Sequence, residues 1–470
     1  MSTLNSLKWS AIERFATQGV QFFLMIFLAR LLEPEMFGVI GMLAIFLAIS
    51  QTFVDSGFSS ALIRKGKPNE IDYSTAFYFN IFIGFFVYII LYLIAPLIST
   101  FFENEELTLI TRVLSLNVLM NSFAVVQRAK LIVAMDFKTQ TKASLISIFI
   151  GGSTGVCLAI NGYGVWALVF QTLTTTMFTV VLLWYFNKWY PKEKFCYKSF
   201  KEMFNFGSKL LASALIDTFY NNIYLVLIGK YYTATQLGLF TQAQKLSEFP
   251  SVALTGIIQR VNFPLMSQID CENSLRNSFV NAISLSAFIL FPIMAGIAAM
   301  ADPIIGLMLG EKWSGVADFL PFLCLAFMVY PIHAINLNSL KVKNRSDLFL
   351  KLEIIKKIII TVMLFITVPL SVTAICIGLV ITSYTSLIVN MFYTQRMTRV
   401  TIFEQFKILL PIWFAAIISG LITNLVIINI DILIFKILIG AILGSTLYLV
   451  SSKFLFSKPL DQIINFRKNQ

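Results

Sequence analysis

Several stretches of this sequence are apolar enough to lie in a lipid bilayer, yet they contain charged and amide side chains. The first stretch carries Glu13 and Arg14, followed by Gln18 and Gln21. Arg14, Gln18 and Gln21 fall at i, i+4 and i+7, so a helix would present them as one polar stripe. A guanidinium group keeps its charge and offers forked donors, which suits a phosphate. Pairing with Glu13 or contact with lipid headgroups explains Arg14 equally well.

A second polar group lies in the two apolar stretches that follow position 204. Asp217 and Asn221 lie near the middle of one stretch, and Gln244, Lys245 and Glu248 lie in the next. Ionisable groups inside a membrane usually face a cavity or one another, so these side chains are predicted to line a polar cavity. Lys245 also reaches Glu248 at i+3, which makes an internal ion pair the leading structural interpretation.

Two further charged residues are candidates for the same cavity. Asp55, beside Ser56 and Gly57, either bonds to backbone amides where the helix loosens or carries a coupling proton. Arg260 is either a second phosphate contact or a side chain that reaches the membrane surface. The predicted cavity set is therefore Glu13, Arg14, Gln18, Gln21, Asp55, Asp217, Asn221, Gln244, Lys245, Glu248 and Arg260.

Enzymatic chemistry is not predicted. The single histidine, His333, has no ligand-type partner near it in the sequence, and the five cysteines lack metal-site spacing. A phosphate-binding loop, paired catalytic carboxylates and a nucleophile elbow are all missing from the sequence. We therefore expect no metal, no cofactor and no catalytic residue. Energy is expected from a proton or sodium gradient, or from consumption of a product.

The elements that must position these residues are membrane helices. The chain has 470 residues, 57% of them hydrophobic and 13% charged, and a mean hydropathy of +0.80, which is too apolar for a soluble protein. Apolar runs of about 20 residues recur without the alternation of barrel strands. An all-α polytopic fold is predicted, with about fourteen helices. They span about 10–32, 37–60, 74–99, 107–128, 141–161, 164–186, 204–228, 239–266, 277–300, 316–337, 352–370, 372–394, 407–428 and 433–455.

The distribution of charge predicts the orientation. Most of the 36 lysines and arginines fall in alternate loops, which the positive-inside rule assigns to the cytoplasm together with both termini. This topology accounts for the net charge of +12 without nucleic acid as a partner. Basic segments such as Lys188–Lys201 are expected to lie against anionic headgroups, with substrate capture as the alternative.

A short internal repeat supports two similar halves. Ala29, Arg30 and Gly38 align with Gly229, Lys230 and Gly238 at an offset of 200 residues. The predicted domains are a six-helix lobe at 1–186, a basic cytoplasmic linker at 187–203, a second six-helix lobe at 204–394, and two extra helices with a tail at 395–470. Two lobes imply a central cavity.

Five segments together resemble the polysaccharide transporter family, the Wzx-like lipopolysaccharide and exopolysaccharide flippases. This family belongs to the superfamily of multidrug, oligosaccharidyl-lipid and polysaccharide exporters. The segments are LARLLEPEMFG at 28–38, FVDSGFSSALI at 53–63, AMDFK at 134–138, GYGVWAL at 162–168 and LGEKW at 309–313. The resemblance implies a bacterial inner-membrane flippase that moves an undecaprenyl-pyrophosphate-linked oligosaccharide outward as its two lobes rock. Its partners would be that lipid, membrane lipids and polysaccharide-assembly enzymes.

Three alternatives remain at this point. A MATE-like multidrug antiporter would move amphipathic cations through an acidic cleft, whereas these helix interiors hold slightly more basic than acidic groups. A lipid II flippase shares the same physics and differs in its sugar. A membrane glycosyltransferase or polymerase would present catalytic carboxylates in a large loop, and the loops predicted here are too short for one.

Overall fold

The computed structural model describes the backbone of residues 3–55, 57–267, 271–342 and 345–456. Side chains are described for these residues except 3–15, 260–265, 267, 272, 341 and 346. Within these ranges the regular structure is helical and contains no strand. The chain divides into two compact units, Met1–Gly238 and Leu239–Gln470. Each unit is described below by itself.

The first unit is built from nine helices and the beginning of a tenth. They are α1 (Thr3–Leu31), α2 (Pro34–Asp55), α3 (Phe58–Lys65), α4 (Glu70–Phe102), α5 (Glu106–Leu114), α6 (Leu116–Val133), α7 (Phe137–Ile160), α8 (Val165–Asn187), α9 (Tyr197–Tyr231) and α10 (Ala234–Ser267).

The second unit contains the rest of α10 and the helices that follow it. They are α11 (Glu272–Ala299), α12 (Ala301–Met308), α13 (Val316–Met328), α14 (Tyr330–Val342), α15 (Ser346–Thr367), α16 (Val372–Thr398), α17 (Ile402–Ile427) and α18 (Leu433–Leu455). A short 3-10 helix, Glu311–Trp313, lies between α12 and α13.

The predicted polytopic helical fold is confirmed. Eleven segments of the described chain are long and apolar enough to cross a membrane. They account for eleven of the predicted helices, and α1, α10 and α15 overlap the other three. α10 and α15 are less uniformly apolar, because they contain charged side chains such as those at 245, 248, 353 and 356. The chain is therefore a multi-span membrane protein. The domain boundaries placed at 187–203 and 394 stay predictions.

Capping residues explain where two of the helices begin. Asn69 accepts a hydrogen bond from the backbone N–H of Asp72, and the Asp72 carboxylate accepts one from the N–H of Asn69. Thr401 and Glu404 form the same reciprocal capping box at the start of α17. Each box satisfies backbone donors that the first helical turn leaves unpaired.

Small residues let helices of the first unit approach closely. A Cβ added to Gly151 in α7 would lie 1.9 Å from Thr175 Oγ1 in α8. Gly57 has a φ of +69° and separates α2 from α3, and its added Cβ would lie 2.5 Å from the carbonyl oxygen of Gly207 in α9. Close packing through small residues holds membrane helices together, since lipid supplies no hydrophobic drive between them. The turn between α2 and α3 therefore packs against α9 at a position where only glycine fits.

Candidate functional site

Polar side chains of α2 and α6 lie together inside the first unit. Gln51 Nε2 donates a hydrogen bond to Asp55 Oδ1 at 3.3 Å, and the Asp55 carboxylate interacts electrostatically with Arg128. Arg128 Nη2 donates to Asn121 Oδ1 at 3.2 Å, and Asn121 Nδ2 donates to Asn117 Oδ1 at 3.4 Å. We call these five residues the α2–α6 polar cluster.

Helical spacing brings this cluster together. Residues 51 and 55 are four apart on α2, and residues 117, 121 and 128 are four and seven apart on α6, so each set occupies one helix face. α2 and α6 are in contact. The cluster combines one carboxylate, one guanidinium and three amides within two candidate membrane spans. Such a set can bind a phosphate through Arg128 and hydroxyl groups through the amides.

α9 brings a further polar group to α2. Thr52 Oγ1 and Thr218 Oγ1 are 3.0 Å apart, and Asn222 Nδ2 donates to the carbonyl oxygen of Thr218 at 2.8 Å. Asp217 precedes Thr218 and is partly exposed, while Asn221 is exposed. Two of the predicted cavity residues, Asp217 and Asn221, therefore lie on the helix that contacts α2.

The other predicted residues are distributed more widely. On α1, Gln18 is partly exposed and Gln21 is exposed, and α1 packs against α7. The side chains of Glu13, Arg14 and Arg260 lie outside the described residues. Asp55 is the predicted residue that belongs to the α2–α6 polar cluster. Whether the whole predicted set lines one cavity stays a prediction.

Three predicted residues of α10 with described side chains, Gln244, Lys245 and Glu248, belong to the second unit. Gln244 and Glu248 are partly exposed, and the Lys245 side chain is exposed. Lys245 and Glu248 interact electrostatically. However, the direct ion pair expected between them, with a nitrogen-to-oxygen distance within 4.0 Å, is not formed between these two described side chains. A three-residue separation on a helix permits such a pair but does not enforce it.

Comparison with known proteins identifies the family. The family described as "Polysaccharide biosynthesis protein" matches residues 27–318, which is more than half of the chain. The chain belongs to this polysaccharide biosynthesis protein family. The match covers α2 to α9 and therefore includes the whole α2–α6 polar cluster.

Individual relatives agree with this family. The chain is 27% identical to the teichuronic acid biosynthesis protein TuaB of Bacillus subtilis, over 73% of this chain and 72% of TuaB. It is 24% identical to the lipopolysaccharide biosynthesis protein WzxC of Escherichia coli, over 75% of this chain and 73% of WzxC.

Solved structures show the same fold. The lipid II flippase MurJ in an inward closed conformation superposes with a TM-score of 0.79 at 15% identity, covering 97% of this chain and 99% of MurJ. An inward-facing multidrug transporter of the MATE family superposes with a TM-score of 0.63 at 14% identity, covering 84% of this chain and 98% of that structure. At these identities the likeness concerns the fold alone.

Sequence reasoning missed Arg128 and Gln51 of this polysaccharide biosynthesis protein. The predicted helix over 107–128 ended at Arg128, so this residue stood at the boundary with the following loop, because a predicted helix end is uncertain by a few residues. The structure continues α6 to Val133, which places Arg128 within the helix. The signal was present in the spacing of Asn117, Asn121 and Arg128 on one helix face.

The histidine has hydrogen-bond partners in the second unit. His333 Nδ1 lies 2.9 Å from Asn390 Nδ2, and His333 Nε2 lies 3.5 Å from Ser383 Oγ. Thr394 Oγ1, one turn beyond Asn390, donates to Asn336 Oδ1 at 2.6 Å. Among the described residues, no group of three or more His, Cys, Asp or Glu side chains could hold a metal ion. His333 therefore joins α14 to α16 through an amide and hydroxyl network.

A cavity of about 390 Å³ lies in the second unit between α11, α17 and α18. Glycines of all three helices line it, including Gly296, Gly420 and Gly440. The hydroxyl groups of Thr423 and Ser445 in its wall donate to carbonyl oxygens of their own helices, at 2.7 Å and 2.6 Å. The cavity therefore adds little hydrogen-bonding capacity to the candidate site.

Proposed function

We propose that this chain transports a lipid-linked oligosaccharide across a membrane, with the α2–α6 polar cluster as part of the path of its headgroup. A polyprenyl diphosphate that carries a sugar cannot cross hydrocarbon unaided, because its charges and hydroxyls would lose their hydration. The observation that carries the proposal is the placement of Asp55, Arg128 and their amide neighbours within spanning segments. Several relatives bear names that fit, including the succinoglycan biosynthesis transport protein ExoT of Rhizobium meliloti.

The cluster suggests how the headgroup is held. Without cargo, Arg128 has the Asp55 carboxylate as a nearby counter-charge and donates to Asn121. A diphosphate offers a stronger anionic acceptor and would replace Asp55 as the main counter-charge of Arg128. Asn117 and Asn121 would then exchange their mutual hydrogen bond for bonds to sugar hydroxyls. The polyprenyl tail would stay in lipid.

The remaining features of the proposal follow from the charge pattern. The membrane would be the bacterial inner membrane, with both termini in the cytoplasm, since this places most basic loops inside. Transport needs no bond to be made or broken. A proton or sodium gradient, or consumption of the cargo on the far side, would supply the direction. Asp55 and Asp217 are the carboxylates that we propose for coupling to such a gradient.

The test is a flipping assay with the purified full-length chain in proteoliposomes. A polyprenyl diphosphate carrying a short fluorescent oligosaccharide is loaded into both leaflets, and a membrane-impermeant glycosidase removes the sugars that reach the outside. Active protein should make nearly all of the lipid accessible, whereas protein-free vesicles should stop at about half. If accessibility stays at half in vesicles that contain the protein, and these vesicles also show protein-dependent efflux of an organic cation, the multidrug alternative would replace the proposal.

A further inference from the structure

The segment that joins α8 to α9, taken together with the first turns of α9, has two different faces. Its outward side chains include four exposed lysines and two tyrosines, of which Tyr190 is 61% and Tyr197 is 69% exposed. We call this set the linker surface, and it consists of Tyr190, Lys192, Lys194, Tyr197, Lys198 and Lys201. None of its lysines forms an ion pair with an acidic side chain in the part of the chain that the structure describes.

The opposite face of the segment is fixed to the first unit through Trp189. This side chain is 3% exposed, and its indole Nε1 donates to Glu70 Oε2 at 2.7 Å. The ring packs edge-on against Tyr73 and Phe77, with centroids 6.0 Å and 5.9 Å away. Gln127 Nε2 also donates to the carbonyl oxygen of Trp189 at 3.0 Å.

Three more hydrogen bonds continue this attachment toward α9. The backbone N–H of Glu193 donates to Ser74 Oγ at 3.3 Å, and that of Cys196 donates to Thr75 Oγ1 at 3.1 Å. Ser199 Oγ donates to Asp72 Oδ1 at 2.6 Å. The segment is therefore held by its backbone, Trp189 and Ser199, and none of these attachments uses the linker surface.

The position of the segment limits what the linker surface can meet. It connects two candidate membrane spans, Val165–Asn187 and Tyr197–Tyr231, so it must run along the membrane boundary. Tyrosine is enriched at that boundary because its ring is apolar and its hydroxyl is polar. Lysine ammonium groups next to a membrane attract anionic headgroups. This surface combines the two residue types, and its four lysines outnumber the exposed carboxylates of Glu193 and Glu202 on the same stretch. It therefore fits an anionic lipid interface better than the surface of a protein.

We propose that the linker surface binds anionic phospholipid headgroups of the adjacent leaflet. Phosphatidylglycerol offers the chemistry required, a phosphate monoanion at the depth of the lysines with acyl chains at the depth of the tyrosine rings. This binding does not depend on the transported cargo, so it stands or falls separately from the proposed transport function.

The experiment places a fluorophore on the linker surface of the full-length protein in nanodiscs. A cysteine replaces Tyr197, serines replace the native Cys157, Cys196 and Cys271, and a thiol-reactive dye is attached. Quenching is compared between brominated phosphatidylglycerol and brominated phosphatidylcholine at equal mole fraction. We expect phosphatidylglycerol to quench at least about twofold more strongly, because clustered lysines enrich anionic lipid around them. Equal quenching by the two lipids would overturn the proposal.

A charge-matched pair of variants shows where the preference arises. Replacing Lys192, Lys194, Lys198 and Lys201 with glutamine should abolish the difference between the lipids. Replacing four exposed lysines elsewhere, Lys67, Lys142, Lys407 and Lys453, removes the same charge and should preserve the difference. Loss of the difference in both variants would show a general charge effect and reject the linker surface as a site. A dye that neither lipid quenches would show that the surface faces away from the membrane, and would also overturn the proposal.

Discussion

The backbone of Ala234 occupies the space that a side chain on Gly38 would need. A Cβ added to Gly38 at the start of α2 would lie 1.8 Å from the carbonyl oxygen of Ala234 at the start of α10. The reciprocal contact also exists, because a Cβ on Gly238 would lie 1.9 Å from the carbonyl oxygen of Pro34. Both glycines and both partners are 200 residues apart, as 238 − 38 and 234 − 34 show. The internal repeat therefore corresponds to a helix crossing in which equivalent positions of α2 and α10 make reciprocal contacts.

Alanine at either glycine should destabilise the protein. The added Cβ cannot fit beside a backbone carbonyl unless α2 and α10 separate, and overpacking of this kind costs about 1–3 kcal/mol or more. Gly38→Ala and Gly238→Ala should each lower the thermal unfolding temperature in detergent. Gly19→Ala is the matched control, because an added Cβ there meets nothing within 4 Å. An unfolding temperature unchanged in both crossing variants would show that the two helix starts do not pack as described.

Removing the guanidinium of the α2–α6 polar cluster should slow transport. Arg128→Gln loses a charged hydrogen-bond donor worth about 1.5–3 kcal/mol, so the initial flipping rate should fall about tenfold or more. Arg128→Lys keeps the charge but not the forked geometry, so its flipping rate should lie between those of the unchanged protein and Arg128→Gln. Arg396→Gln, at an exposed position of α16, is the control and should flip at the normal rate. Normal flipping by Arg128→Gln at equal protein abundance would remove Arg128 from the proposed path.

Arg128 also shows what the sequence could and could not predict. The membrane-length apolar segments and their helical type follow from composition, since such segments have no other stable structure in lipid. Breaks such as Gly57, which divides a predicted helix into α2 and α3, depend on a local contact with Gly207 that no sequence pattern states. The grouping of Asp55 with Arg128 requires the packing of α2 on α6, which periodicity within one helix does not specify. Polar residues were therefore easier to recognise than their partners.

Trp189 should carry much of the attachment between the linker and the first unit. Trp189→Phe retains most of the packing against Tyr73 and Phe77 but loses the hydrogen bond to Glu70, a net cost of about 0.5–1.5 kcal/mol, or more because that acceptor is charged. Trp189→Ala also loses the buried ring, a cost of about 3–5 kcal/mol. In urea unfolding, the free energy of unfolding should be highest for the unchanged protein, lower for Trp189→Phe and lowest for Trp189→Ala. Equal stability of Trp189→Ala and the unchanged chain would mean that the linker is not packed here.

Lys245 should matter for transport more than for folding. Its side chain is exposed and forms no direct ion pair with Glu248, so Lys245→Ala leaves no buried carboxylate without a salt-bridge partner. We expect normal membrane abundance and a reduced flipping rate, since a cation in a helix predicted to lie in the membrane is a candidate contact for an anionic cargo. Glu248→Gln, one turn away, is the control. A normal flipping rate in this variant would show that the lysine itself is needed, and not merely the local charge. Unchanged flipping in Lys245→Ala would exclude it from the headgroup path.

The contact between Glu103 and Lys230 should make the link between the ends of α4 and α9 sensitive to acid. Glu103 Oε1 accepts a hydrogen bond from Lys230 Nζ at 2.8 Å, and this contact holds the pKa of Glu103 below its ordinary value of 4.5. A lowered pKa in the folded state stabilises the fold above the ordinary pKa, and this contribution disappears as the pH falls through the lowered value. Because both side chains are on the surface, the effect should be small. Glu103→Gln should therefore lower the unfolding temperature at pH 7 and have no effect once the pH is well below the lowered pKa of Glu103. In a protein that already carries Lys230→Gln, Glu103→Gln should not change the unfolding temperature at either pH. If Glu103→Gln lowers the unfolding temperature equally with and without Lys230, the stabilisation comes from another partner of Glu103.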